Sequence, residues 1–314
     1  MKIVAGLGSI DDYISLVEAG ADEVFCGFVP YNWNRKYGNL FPLNRREVLY
    51  YNVQICSYEE MKILKKMMDK YKVPVSITFN YLYYVKEQYD IIYEIIKNLI
   101  EIGFNDFIIA DIALIKYLNK RDIECSIHLS GECAEINNLS IDFFNKFNGI
   151  SRYIFHRKNT IDDIKSCINN NSKGNVEFEA FMLNEKCHYS GAFCSSLHCD
   201  ELEHLCKVPY KLFKVNEETI NYPKNYYELY EDTEDDEYVV GSSGCGLCSI
   251  KDLKDAGVTH LKVVGRGNSV DNMVKDIIML KRAIKLLDKD PQNYSKLIKE
   301  KLFNNKCSKK CYYN

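Results

Sequence analysis

Short runs of β-forming residues alternate with stretches of helical period along most of this chain, and that alternation restricts the fold more than any other feature. Apolar strands that recur after amphipathic helices build βαβ units on a parallel sheet, with helices covering its faces. The first unit is plain. Lys2 to Leu7 (KIVAGL) reads as a strand, Ser9 can cap a helix with Asp11 and Asp12 in its first turn, and Gly20 ends that helix. Further strand-type runs follow at Ala21 to Phe28, Val73 to Asn80, Asp106 to Asp111, Glu124 to Leu129, Ile150 to His156, Asn175 to Met182 and His260 to Val264. Between them lie helical patterns. One opens with Ser57 and Glu60 at capping-box spacing, and another carries Ile91, Ile92, Ile95, Ile96 and Leu99 on one face. Eight strands with about as many helices predict an α/β fold of the (β/α)8, TIM-barrel-like class, with an open doubly wound sheet as the alternative. The long gap before the last strand predicts a cysteine-rich insertion after strand seven, within residues 183–248. The barrel would then occupy 1–288, and 289–314 would form a tail.

A chain of 314 residues with 46% hydrophobic content can bury a core of this size. Its formal net charge of -3 gives no sign of the broad basic face of a dedicated nucleic-acid binder, so RNA is a less favoured partner than a small polar molecule. The lysines of the tail, Lys296 to Lys310, read first as a solvated helix end, and the acidic run Glu231 to Glu237 as a solvated loop. No uncharged apolar run approaches the roughly 20 residues needed to cross a bilayer, and the opening MKIVAGLGSIDDY lacks a signal-type apolar segment. The expectation is a cytoplasmic protein that makes no membrane contact. In a reducing compartment its 13 cysteines point to metal or redox chemistry, with buried free thiols as the remainder, rather than to a disulfide framework.

Six of those cysteines fall between 187 and 248: Cys187, Cys194, Cys199, Cys206, Cys245 and Cys248. Four thiolates among them could share one soft metal centre. Only Cys245 and Cys248 have the close spacing of a zinc knuckle, whereas the scattered remainder suits an iron–sulfur cluster fed from separate loops. A second irregular stretch, Val29 to Tyr51, holds the only tryptophan, Trp33, with Arg35, Arg45 and Arg46. Arg35 or Arg45 could reach an anionic substrate, although exposed arginines are the commoner case.

In a barrel, chemistry gathers at the C-terminal ends of the strands. Those ends supply Cys26, Asn80, Asp111, His128 with Glu132, His156 with Arg157, the cysteine stretch and Arg266. His128 could act as acid or base, or serve only as a satisfied structural histidine; Asp111 and Glu132 could instead cap helices.

Several of these segments together resemble the peptidase U32 family, once called collagenase-like. GADEVFCG (Gly20 to Gly27) is similar to its GADAVYLG, HLSGE (His128 to Glu132) to its HxSxQ, and AGVTHLKVVGR (Ala256 to Arg266) to its AGIxxLKIEGR. Phe104 to Asp111 resembles its GxDxxxxxD strand, and Glu179 stands like the Glu of its ExF…C motif. The chain departs from the pattern at Leu183 and Asn184, where His-Gly is common, at Ser190 and Gly191, which come one residue early, at Lys158 after Arg157, and at Glu132 in place of Gln. These departures put a remodelled substrate pocket in view. The resemblance implies a 4Fe-4S cluster on Cys187, Cys194, Cys206 and Cys245, with Cys199 and Cys248 as neighbouring thiols. It implies oxygen-independent hydroxylation, or a related redox modification, of a polar and anionic small molecule or of an RNA base, with His128, Asp111, Glu132, Arg157 and Arg266 around the substrate. The alternatives are a peptidase, as the family name has it, or a non-catalytic cluster-bearing subunit that works with a paralogous U32 chain. Neither an HExxH helix nor a GxSxG elbow is present, which disfavours the peptidase.

Overall fold

The computed structural model describes residues 1–38, 41–45, 54–133, 136–187 and 238–313. Eight parallel strands close into a barrel in chain order. They are β1 (Lys2–Leu7), β2 (Glu23–Gly27), β3 (Val75–Phe79), β4 (Asp106–Ile109), β5 (Ser126–Leu129), β6 (Ile150–Ile154), β7 (Glu177–Leu183) and β8 (His260–Val263). The last strand returns to the first through the pairs Lys2–His260 to Ala5–Val263. This is the TIM-barrel-like architecture that the alternation predicts. The stretch 188–237, which holds most of the expected insertion along with Cys194, Cys199, Cys206 and the acidic run, lies outside the described residues.

Helices separate the strands: α1 (Tyr13–Ala19), α2 (Tyr31–Tyr37), α3 (Tyr58–Tyr71), α4 (Lys86–Ile102), α5 (Ile112–Asn119), α6 (Asn138–Phe144), α7 (Ile161–Asn169), α8 (Ile250–Ala256), α9 (Val270–Lys289) and α10 (Tyr294–Lys301). Local chemistry sets their limits. Ser57 and Glu60 close a reciprocal capping box on α3, Thr160 and Asp163 another on α7, and Gly103 ends α4 in the left-handed conformation. One helix departs from the sequence reading. Within the stretch expected to be irregular, α2 starts after Pro30 and buries Trp33, whose Nε1 donates to the Phe41 carbonyl at 3.1 Å. A seven-residue helix made of polar and aromatic residues shows little apolar period, so its stability comes from the tryptophan it buries.

The period of two along each strand gives the barrel two kinds of face. Val24 and Cys26, Ile77 and Phe79, Phe107 and Ile109, and Leu261 and Val263 pack in the apolar core between barrel and helices. Burying each large apolar side chain contributes about 1.5–3 kcal/mol. The alternate residues turn inward and are charged towards the N-terminal end. Arg152 reaches Glu23 at 2.8 Å, Glu177 at 2.6 Å and Glu179 at 3.0 Å, and Lys262 reaches Glu179 at 2.6 Å.

After β7 the rim is completed by backbone far away in sequence. Cys245 forms an antiparallel bridge with Leu183 and a parallel bridge with Cys311. The Cys245 amide donates to the Lys310 carbonyl at 2.9 Å, and the Tyr312 amide donates to the Cys245 carbonyl at 2.9 Å. Tyr312 donates its hydroxyl to the Asn184 carbonyl and Tyr313 to that of Phe181, and both rings are buried. Among the described residues no helix is long and apolar enough to cross a membrane.

Candidate functional site

At the C-terminal mouth the barrel opens into a cleft of about 600 Å³, counting its open entrance, a size that suits a small ligand. Four cationic side chains line it, Arg45, Arg157, Lys262 and Arg266, against the carboxylates Glu132 and Glu185. The cationic surplus favours an anionic ligand group. Phe25 and Phe181 form apolar walls: the Arg157 guanidinium lies 4.0 Å from the Phe181 ring centre, and the Lys262 ammonium 3.8 Å from that of Phe25.

Each cation is held by a partner from another strand end. Glu132, just past β5, accepts from Arg157 Nη1 at 2.8 Å and pairs through its other oxygen with Arg45 Nε at 3.3 Å. Arg266, just past β8, donates from Nη1 to the Thr78 hydroxyl at 3.1 Å. A close approach makes that reach feasible, because a Cβ on Gly27 would fall 2.3 Å from Arg266 Nη1. The glycine of the GADEVFCG segment and the arginine of LKVVGR, far apart in sequence, are therefore one structural unit. The backbone amide of Arg45 donates to Asn80 Oδ1 at 3.1 Å, which fixes the entry loop against the end of β3.

Glu132, Arg157 and Arg266 thus meet at the mouth, and two other sequence candidates lie elsewhere. Asp111 caps α5: Oδ1 accepts the Ala113 amide at 2.8 Å, while Oδ2 accepts the Tyr84 amide at 3.0 Å and the Tyr89 hydroxyl at 2.9 Å. His128 is buried in the barrel, with Nε2 3.7 Å from Asp106 Oδ1. Burial, reinforced by the Arg152 charge, lowers its pKa from the usual 6.5 to about 3, so its imidazole is neutral at neutral pH. Neither residue is among those lining the cleft. The sequence reading weighed Arg45 mainly as a surface residue and did not single out Lys262 or Glu185. A lysine inside the apolar strand HLKVV was the available signal for Lys262, since a buried ammonium needs a carboxylate, here Glu179.

Burial would raise the Glu179 pKa, but the Lys262 and Arg152 charges outweigh it and bring the value down to about 2. Glu179 is therefore an anion beneath the cleft. Burial pushes the Lys262 pKa down and Glu179 opposes that shift, so this pair is best described as a charged buried couple.

Two of the four cysteines expected to hold a cluster are described. Cys187 follows β7, near enough to Tyr312 to act on it electrostatically, and Tyr312 in turn acts on Arg157, which puts the Cys187 thiol beside the cleft rim. Cys245 lies on the neighbouring segment, where the Lys186 amide donates to the Ser243 carbonyl at 2.9 Å. Cys194 and Cys206 fall outside the described residues. The donor chemistry suits a soft metal, and Gly241 leaves room for Cys245: a Cβ there would stand 2.9 Å from the Cys245 Cβ and 3.2 Å from its sulfur. Among the described residues no three His, Cys, Asp or Glu side chains stand close enough together to hold an ion.

Comparison with known proteins places this geometry in context. The model of peptidase family U32 matches residues 8–314. A curated protein of Bacillus subtilis (strain 168), tRNA hydroxylation protein P1, is 22% identical over 302 residues, covering 93% of this chain and 65% of that protein. The chain therefore spans just under two thirds of that relative's length. Among solved structures, the U32 peptidase Mk0906 is 11% identical with a TM-score of 0.45, covering 62% of this chain and 73% of that one. A structure described as native KDPGal is 10% identical with a TM-score of 0.47, covering 92% and 97%.

Proposed function

Given that this chain belongs to peptidase family U32, we propose that it is an iron–sulfur enzyme carrying out an oxygen-independent hydroxylation or related redox modification of an anionic substrate. The observation that carries this reading is the pair of guanidinium groups, Arg157 and Arg266, held at the cleft by Glu132 and Thr78. Fixed charges of this kind bind and orient an anionic group without reorganising when it arrives. Phe25 and Phe181 accept a flat apolar portion of the same molecule, and Lys262, charged by its pairing with Glu179, adds positive potential at the floor. Cys187, Cys194, Cys206 and Cys245 would hold a 4Fe-4S cluster. Bound there, it would supply one-electron transfer. The relative's name, tRNA hydroxylation protein, supports an RNA base as one substrate class and a small anionic molecule as a co-substrate at the cleft.

No observation favours the peptidase alternative. Among the described residues lining the cleft the hydroxyl side chains are Thr78 and Ser130, and these are engaged with Arg266 and with the Glu132 amide at 3.2 Å. Cytoplasmic location and a paralogous partner chain belong to the same proposal. The deciding experiment is anaerobic purification with iron and sulfide assay, followed by mass spectrometry of tRNA nucleosides from cells lacking or carrying the gene. The reading predicts a brown protein and a nucleoside heavier by one oxygen. A colourless, iron-free protein with full activity would refute it.

A further inference from the structure

Four cysteines approach one another beside the rim, and they are a different four from those implied by family resemblance. Cys245 and Cys311 are partners in a parallel bridge, locked by the hydrogen bonds from the Cys245 amide to Lys310 and from the Tyr312 amide to Cys245. Cys248 lies in the single 3-10 turn Leu247–Ser249 that follows Cys245. That turn is held against α10 by the Tyr294 hydroxyl, which donates to the Leu247 carbonyl at 2.8 Å. Cys307 precedes Cys311 in a loop anchored by the Ser308 hydroxyl, which donates to the Gly241 carbonyl at 2.7 Å. Cys245 is accordingly influenced by Cys248, Cys311 and Cys307 together, after burial, and Cys248 by Cys311 and Cys307. In sequence these are a C-x2-C pair and a C-x3-C pair, the spacing by which two short loops each offer two thiolates to a tetrahedral ion.

We infer that Cys245, Cys248, Cys307 and Cys311 form a four-thiolate zinc site that ties residues 307–313 to the barrel rim beside the cleft. The chemistry balances as one Zn²⁺ and four thiols giving a tetrathiolate of net charge 2− with release of four protons. Positive charge to offset it is at hand: Lys299 acts on Cys248, and Lys306, Lys309 and Lys310 flank Cys307 and Cys311. The sulfurs are neighbours and not yet a coordination shell, as expected of protonated thiols, which gain nothing by converging until an ion displaces their protons. The site reaches the cleft through Tyr312, next to Cys311, whose hydroxyl is bonded to Asn184 and whose ring interacts with Arg157. The inference does not rest on the hydroxylation reading. It takes Cys245 out of the iron ligand set and leaves that centre to the cysteines of residues 187–206.

The test uses the full chain, purified anaerobically without chelator, with zinc, iron and acid-labile sulfide counted per chain. Wild type is compared with the doubles Cys194→Ser/Cys206→Ser and Cys307→Ser/Cys311→Ser. The expected result is one zinc per chain, retained in the first double and reduced below about a tenth in the second, with iron and sulfide following the opposite pattern. Circular dichroism checks folding. Should the second double not fold, alkylation of the wild-type chain takes its place: Cys245, Cys248, Cys307 and Cys311 are protected from maleimide until a zinc chelator is added. Zinc unaffected by the second double, iron and sulfide lost with it, a disulfide mapped between Cys245 and Cys311, or free alkylation of all four would each overturn the assignment. Loss of iron from the first double alone bears on the hydroxylation reading and leaves the zinc site standing.

Discussion

Replacing Glu179 with glutamine keeps the volume of the side chain and removes its charge from the centre of the barrel. The carboxylate is fully buried, with Arg152 Nη1 at 3.0 Å and Lys262 Nζ at 2.6 Å. Arg152 keeps Glu23 and Glu177 after the change, but Lys262 loses the carboxylate that compensates its burial and is left against the Phe25 ring. Breaking a buried pair by removing one member costs about 3–5 kcal/mol. An independent ceiling agrees with that range, because Lys262 can escape by releasing its proton, and doing so at pH 7 from an ordinary pKa of 10.5 costs about 5 kcal/mol. The folded-to-unfolded ratio should therefore fall more than about a hundredfold. Urea titration followed by circular dichroism and by the fluorescence of Trp33, the only tryptophan, measures it. Glu179→Gln combined with Lys262→Met should recover most of the loss, since no uncompensated charge remains. A pH series adds a second readout. The folded pKa of about 2 lies below the ordinary 4.5, so the stabilisation is complete above pH 4.5 and is lost as pH falls towards 2, a slope the variant lacks. A loss below about 1 kcal/mol, or a double variant no more stable than the single, would refute the account of the barrel interior.

Other substitutions separate binding from folding. Arg157→Gln or Arg266→Gln removes a charge-assisted contact to an anionic group, worth about 1.5–3 kcal/mol, so kcat/KM should fall roughly 10- to 150-fold, and an unchanged value would remove that arginine from the site. Gly27→Ala brings a Cβ into the position of Arg266 Nη1, so activity should drop while the urea midpoint moves little; a fully active variant would show that the arginine need not stay where it is. His128→Gln tests the buried imidazole. With its folded pKa near 3, below the usual 6.5, the wild-type protein should lose up to about 1.4 kcal/mol per pH unit as pH falls below 6.5, and the variant should show a flatter dependence. Tyr312→Phe removes the hydroxyl donated to the Asn184 carbonyl and should cost about 1 kcal/mol in urea titrations, with no loss expected if residues 307–313 are not seated on the rim.

The barrel was legible because its signals are local. Alternating strand and helix periods, the Ser57 and Thr160 caps and the terminating glycines each act within a few residues, and together they specify eight βα units. The helix at Tyr31–Tyr37 escaped because its stability comes from the burial of Trp33, which no periodic pattern announces.

At the candidate site the chain alone determined which strand ends carry polar residues, and hence Glu132, Arg157 and Arg266 at the mouth. It did not determine which way neighbouring side chains turn. Whether His128 faces the cleft or the charged interior, and whether Asp111 meets a substrate or caps α5, depends on the register between strands. Only the closed barrel brings Lys262 onto Glu179 and Gly27 under Arg266, and only the return of residues 307–313 to the rim sets Cys311 beside Cys245. The physical reason is range: hydrogen bonding within an element is written in adjacent residues, whereas compensation of buried charge and the gathering of thiols join residues separated by much of the chain, and these require the fold itself.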